Sequence, residues 1–139
     1  MSTRRRLALA GLAALLAGSG LLHLVVPRPY QRIVPAPLAP WGSELVLVSG
    51  LAEIACAVLL LAPRTRRAGA YATALLLVAV FPANVQMALD AGAGRAGLPT
   101  AAAALVWLRL PLQVPLVWWA LAFRRDLAEA GLSRPGRRP

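Results

Sequence analysis

The feature that most constrains this chain is a set of four apolar runs, each long enough to cross a lipid bilayer as a helix. The runs cover residues 7–26, 44–62, 68–89 and 101–123. The hydrocarbon layer of a membrane is about 30 Å thick, which roughly 20 helical residues can span. Because lipid offers the backbone no hydrogen-bond partners, such segments must be helical. The sequence therefore predicts an all-α fold, an integral membrane four-helix bundle.

The composition is that of a membrane protein. Hydrophobic residues make up 59% of the 139 residues and charged residues only 14%. A soluble domain of this size could not cover so much apolar surface with so few charges. The formal net charge of +10 is compatible with nucleic-acid binding, but every basic residue is an arginine, and nearly all of them lie between or outside the apolar runs. That distribution indicates membrane topology, so we expect the lipid bilayer as partner and no nucleic acid.

The arginines also predict the orientation. Eleven lie before the first run, between the second and third, or after the fourth, whereas the other two loops hold only Arg28, Arg32 and Arg95. Basic residues are enriched in cytoplasmic loops, so we expect a multi-pass protein of the bacterial cytoplasmic membrane with both termini in the cytoplasm. The start of the chain also resembles a twin-arginine export signal. Its apolar run continues to Val26, however, and three more follow, so we expect no cleavage.

We divide the chain into a transmembrane domain over residues 1–126 and a basic cytoplasmic tail over residues 127–139. For the tail we expect a short polar helix followed by disorder. The first outer loop, residues 27–43, holds five prolines. Proline fixes φ and disfavours helix in the residue before it, so we expect this loop to be extended and stiff. It either connects two helices without further role or forms a lid over the outer end of the bundle.

Polar side chains inside the apolar runs mark the candidate site. Counted from the outer ends of their runs at 1.5 Å per residue, Glu53 lies about 13 Å deep and Arg109 about 12 Å deep. A lone charge in hydrocarbon is strongly unfavourable, so we expect these two residues to form an ion pair. Gln113 lies one helical turn from Arg109 on the same face. Together with His23 and Asn84, these residues are expected to line a polar pocket that opens to the outside.

Other residues qualify this prediction. Prolines within the third and fourth runs favour kinks near the polar groups, and Ser49 and Gly50 beside Glu53 favour a close helix approach. The alternative for the whole cluster is a structural network that fixes helix register without binding anything. We predict no catalytic residue, because no nucleophile–base pair is present, and no metal site, because one histidine and one buried acid are too few ligands. Cys56, the single cysteine, is expected to be a buried, inert thiol.

Several short segments, in order along all four runs, carry a resemblance to a known family. They are residues 20–23 (GLLH), 30–35 (YQRIVP), 49–54 (SGLAEI), 59–63 (LLLAP), 66–69 (RRAG), 80–88 (VFPANVQMA) and 109–113 (RLPLQ). As a set they resemble the DoxX-like family of small four-helix bacterial membrane proteins. The chain departs from that family at Ala55 and Cys56, where glycines are common. The resemblance places His23, Glu53, Asn84, Arg109 and Gln113 on the family's motif positions.

The resemblance implies a role in membrane redox chemistry. Better-characterised relatives look like membrane subunits of redox systems, one of them passing electrons from thiosulfate oxidation to quinone. We therefore expect an accessory subunit, non-catalytic by itself, whose outer-facing polar pocket takes a small lipophilic ligand such as a quinone. A membrane or periplasmic redox protein is the expected partner, and the chain could form an oligomer. The alternatives are a small proton-coupled transporter or carrier, and a structural assembly partner without a ligand.

Overall fold

The structure, a computed structural model, describes residues 2–97 and 99–125. In chain order its α-helices are α1 (Thr3–Val25), α2 (Pro27–Gln31), α3 (Gly42–Leu61), α4 (Arg66–Gly92) and α5 (Thr100–Leu121), with 3₁₀ helices at Ala36–Trp41 and Ala122–Arg125. The four long helices are each long and apolar enough to cross a membrane. The predicted all-α, four-span fold is thus confirmed, while the tail predicted at residues 127–139 lies outside the described residues.

The connections define two ends of the molecule. The proximal end carries the start of α1 and the turn between α3 and α4, and the distal end carries α2, the first 3₁₀ helix and the turn between α4 and α5. Successive long helices are antiparallel, and α3 packs on α1, α4 on α3, and α5 on α4. The cytoplasmic position of the proximal end stays a prediction from the arginine distribution.

The proline-rich connection differs from the extended, stiff loop predicted for it. Pro27 begins the short helix α2, and Pro37 lies in the first turn of the 3₁₀ helix Ala36–Trp41. Proline is tolerated in a first helical turn, where its missing N–H has no intrahelical partner and its fixed φ suits a helix. The prediction was wrong because it counted prolines as helix breakers without considering that each could begin a new, short helix.

A close backbone contact joins α1 to α3. A methyl group built on Gly20 would lie 2.5 Å from the Gly50 carbonyl oxygen, and one built on Gly50 would lie 2.9 Å from the Gly20 carbonyl oxygen. Neither site has room for a side chain, because real Cβ atoms do not approach other atoms so closely. Small residues at such crossings let transmembrane helices approach until their backbones touch. The close approach predicted beside Glu53 is therefore present, with α1 as the partner helix.

The proximal half of the molecule contains the apolar core. Leu12 and Leu16 of α1 pack with Leu60 of α3 and with Phe123, which follows α5. Nη2 of Arg5 donates to the Ala122 carbonyl oxygen at 2.8 Å, so a hydrogen bond joins the start of α1 to the residues that follow α5. The proximal ends of α1 and α5 are thus joined both by apolar packing and by a hydrogen bond.

Helix α5 is the least enclosed of the four long helices. Its buried residues are Gln113 and Ala120, both in its proximal half. Near its distal end, α5 touches the end of α4, where Trp107 packs 3.3 Å from the position of a methyl group on Gly92. The distal half of α5 therefore packs mainly against α4, and the apolar core lies at the proximal end of the bundle.

The Gly20–Gly50 crossing predicts unequal effects of alanine at two glycines of α1. Gly20→Ala should lower the free energy of unfolding by about 1–3 kcal/mol, because an overpacked contact must open. Gly18→Ala is the matched control, since a methyl group at Gly18 has nothing within 4 Å, and it should leave stability unchanged or raise it by up to about 1 kcal/mol. Thermal unfolding in detergent, followed by tryptophan fluorescence, measures both. Equal midpoints for the two variants would contradict the crossing.

Candidate functional site

The glycine crossing places two ionisable side chains against each other. His23 lies three residues after Gly20 on α1, and Glu53 three residues after Gly50 on α3, so each lies close to the same face of its helix as the glycine. Nδ1 of His23 is 3.5 Å from Oε2 of Glu53, and both side chains are largely buried. The structure thus pairs the two residues that the close backbone approach brings together.

The imidazole of His23 is fixed on two sides. Its Nδ1 is 2.8 Å from the Ser19 carbonyl oxygen, which can only accept, so Nδ1 carries the proton and donates. The ring also stacks on Tyr30 of α2, with centroids 3.9 Å apart and planes inclined by 27°. Nε2 is the ring nitrogen without a hydrogen-bond partner among the described residues.

The carboxylate of Glu53 is buried and incompletely bonded. The residue is only 8% exposed, and its Oε2 has no hydrogen-bond partner among the described residues. Ser19 faces the carboxyl group from α1, and His23 is beyond hydrogen-bonding distance. A buried polar atom without a partner is costly and rare in proteins. Glu53 Oε2 is therefore the atom of this site most in need of an additional partner.

The predicted ion pair between Glu53 and Arg109 is not formed. Arg109 is exposed on α5, and within the described residues the ionisable side chain beside Glu53 is His23. Arg109 lies near enough to influence the carboxylate electrostatically, but it has no direct contact with it. The prediction was wrong because it counted depth in both helices from the ends of the apolar runs.

The contacts of α4 give the true register. The Thr73 hydroxyl faces the Cys56 thiol, and the Gln113 side-chain amide donates to the Leu77 carbonyl oxygen. Thr73 and Leu77 are one turn apart, so Gln113 lies about one turn nearer the distal end than Cys56. This position of Gln113 is level with Glu53. Arg109, four residues before Gln113, therefore lies about 6 Å, or one turn, beyond Glu53 toward the distal end.

The two other buried residues of the predicted site, Gln113 and Asn84, lie apart from the His23–Glu53 pair. Gln113 bonds α5 to α4 and lines an apolar groove of about 280 Å³ between these helices, with Phe81 and Trp118 among its other walls. Asn84 is buried on α4, and no hydrogen bond or ion pair in the described part of the chain joins it to His23 or Glu53. Of the five predicted residues, the structure brings only His23 and Glu53 into a pair, and a shared ligand pocket stays a prediction.

Sequence reasoning missed two members of the site. Ser19 supplies a carbonyl group to His23 and faces Glu53; its position four residues before His23, on the same face of α1, was the available signal. Tyr30, in the proline-rich connection, stacks on His23. In the described residues, no group of three or more His, Cys, Asp or Glu side chains is placed to hold a metal ion.

Fold and site together define a small, four-span helical membrane protein with a buried histidine–carboxylate pair at a helix crossing. Residues 12–124 match the family described as "Domain of unknown function (DUF8561)", and the chain belongs to that family. No curated protein and no solved structure matches the chain. The resemblance to the DoxX-like family stays a prediction.

The geometry predicts which pair of ionisable residues is energetically coupled. In a double-mutant cycle with His23→Asn and Glu53→Gln, we expect a coupling free energy of about 0.5 kcal/mol or more, because the two side chains are in contact. The matched cycle with Glu53→Gln and Arg109→Gln should give a smaller value, because Arg109 acts on the carboxylate without touching it. Unfolding of the purified variants in detergent supplies all the stabilities. Stronger coupling to Arg109 than to His23 would contradict the observed pairing.

Proposed function

We propose that this protein is an accessory subunit of a membrane redox system that binds a small lipophilic molecule, such as a quinone, at the His23–Glu53 pair. The observation that carries the proposal is the buried Glu53 Oε2 without a hydrogen-bond partner. Ionisable groups inside a membrane are costly and mark functional sites by default. A ligand with a polar head would supply the partner that the carboxylate lacks.

The chemistry of the pair suits a head group that both accepts and donates hydrogen bonds. A protonated Glu53 donates to a ligand carbonyl, and an ionised one accepts from a ligand hydroxyl. Nε2 of His23 offers a second polar contact, because Nδ1 is engaged by Ser19. A quinone has a carbonyl group in its oxidised form and a hydroxyl group in its reduced form, so both forms would find a partner here.

Redox chemistry itself would belong to another protein. The chain has one cysteine and one histidine, so it offers neither a redox cysteine pair nor a bis-histidine haem site. A membrane or periplasmic redox protein at the distal end would supply or take the electrons. The resemblance to the DoxX-like family supports this division of labour.

Access to the pair would come from the distal end. Tyr30, which covers the His23 ring, belongs to a helix of only five residues, and the distal half of α5 is little enclosed. Movement of α2 away from His23 would uncover the imidazole without disturbing the proximal core. In this role residues 27–41 act as the lid that was one of the two predictions for this connection. With both termini in the cytoplasm, the opening would face the outside of a bacterial membrane.

Mass spectrometry of bound lipids tests the proposal. The protein is purified in mild detergent, and its lipids are extracted and compared between wild type and Glu53→Gln. We expect wild type to retain a specific lipophilic molecule that Glu53→Gln loses by at least an order of magnitude, the effect of roughly 1.4 kcal/mol. Glu44→Gln is the matched control, with the same chemical change at an exposed position of the same helix, and should retain the molecule.

The controls make the result decisive. Thermal unfolding must first show that Glu53→Gln is folded. Loss of the molecule in both variants would place binding elsewhere. Absence of any specific lipophile from folded wild type would contradict the proposal and favour the structural assembly partner.

A second candidate, a small proton-coupled carrier, is favoured by the same buried carboxylate together with prolines inside α4 and α5. Protonatable groups and broken helices near the membrane centre are features of such carriers. The carrier predicts proteoliposome flux that follows a pH gradient, vanishes in Glu53→Gln and persists in Glu44→Gln. Flux that is independent of pH, or unchanged in Glu53→Gln, would exclude it.

A further inference from the structure

A second cavity lies at the proximal end, on the opposite side of the apolar core from the His23–Glu53 pair. Its volume is about 400 Å³, and it is lined from α1 by Arg6, Leu9 and Ala10 and from the α3–α4 region by Leu61, Pro63 and Arg66. Two arginines and apolar side chains thus share one cavity.

The surroundings of the cavity are strongly basic. Residues 1–10 and 61–70 contain six arginines and no acidic residue. The N-termini of α1 and α4 lie at this end together with the C-termini of α3 and α5, so the helix dipoles oppose one another. An anion entering the cavity is therefore attracted by the arginines.

The two arginines that line the cavity differ in their setting. Arg66 is held in place, since its Nε donates to the Leu60 carbonyl oxygen at 3.0 Å and its Nη2 to the Leu61 carbonyl oxygen at 3.2 Å. Arg6 is exposed, and none of the described residues provides it with an ion-pair partner. A guanidinium group binds phosphate oxygens with paired hydrogen bonds, and Arg6 can turn to do so.

The apolar walls distinguish this cavity from a site for a free ion. Leu61 is 52% exposed, and Ala10 lies one turn below Arg6 on the same face of α1. An apolar chain could follow these residues toward the membrane interior while its head stays at the arginines. That arrangement fits an amphiphile with an anionic head at the level where lipid headgroups lie.

We propose that this cavity binds an anionic phospholipid, with its phosphate bonded to Arg6 and an acyl chain against Ala10 and Leu61. Basic pockets at the ends of transmembrane helices are suited to such headgroups. The site is separate from the His23–Glu53 pair and does not depend on the function proposed for that pair.

Native mass spectrometry with defined lipids tests the site. The full-length protein in mild detergent is titrated with phosphatidylglycerol or with phosphatidylcholine, and the fraction carrying one lipid is measured. We expect phosphatidylglycerol to bind more tightly, and Arg6→Gln to weaken its binding about five-fold, because one arginine near a phosphate contributes about 1 kcal/mol. Arg4→Gln is the matched control, since Arg4 is exposed on the same turn of α1 but lies outside the cavity lining, and should weaken binding less than two-fold.

Three results would overturn the proposal. Equal affinity for the two lipids would show that the head charge is not recognised. Equal weakening of phosphatidylglycerol binding by Arg6→Gln and Arg4→Gln would show that the lipid is attracted by the basic surface as a whole and not by the cavity. An equal concentration of inorganic phosphate could displace the lipid while chloride at the same ionic strength does not. That result would show that the cavity binds free phosphate and not a phospholipid. Thermal unfolding of both variants confirms that they remain folded.

Discussion

The backbone contact between Gly20 and Gly50 is the constraint on which the rest of the structure depends. Without a hydrophobic driving force between helices in lipid, association relies on close packing, and these two glycines allow α1 and α3 to touch. The contact fixes both the separation and the register of the two helices. Because the two helices are antiparallel, Glu53 lies against Gly20 and His23 against Gly50, and the two side chains meet across the crossing. A wider crossing would separate the two groups and leave the carboxylate alone in hydrocarbon.

The molecule divides along its length into two parts with different properties. Its proximal half is closed by apolar packing around Leu60 and Phe123, whereas its distal half holds the polar pair and a loosely enclosed α5. The two proposed sites follow this division. The proposed His23–Glu53 site lies toward the less enclosed distal end, and the proposed phospholipid cavity lies at the proximal end beside the apolar core.

The four spans could be predicted from hydropathy alone because a transmembrane helix is determined by local composition and length. His23 and Glu53 were identified as site residues because polar groups stand out in apolar runs. Their pairing was missed, and Glu53 was assigned to Arg109 instead. The sequence gives depth only relative to the ends of each helix. The register of α5 against α4 depends on the contact between Gln113 and Leu77, which the sequence does not show. The stacking of Tyr30 on His23 likewise depends on a short helix that begins at a proline, and proline counts alone indicated an extended loop.

Solid-state NMR of the membrane-embedded protein tests the central pairing most directly. The chain has a single histidine, so ¹⁵N-histidine labelling reports on His23 alone, and ¹³C labelling of glutamate carboxyl carbons supplies the partner. We expect a strong ¹³C–¹⁵N dipolar contact to the imidazole in wild type and in Glu44→Gln, and its loss in Glu53→Gln. The histidine should also show a protonated Nδ1 bonded to a carbonyl group. Absence of the contact in wild type, or its survival in Glu53→Gln, would contradict the pairing of His23 with Glu53.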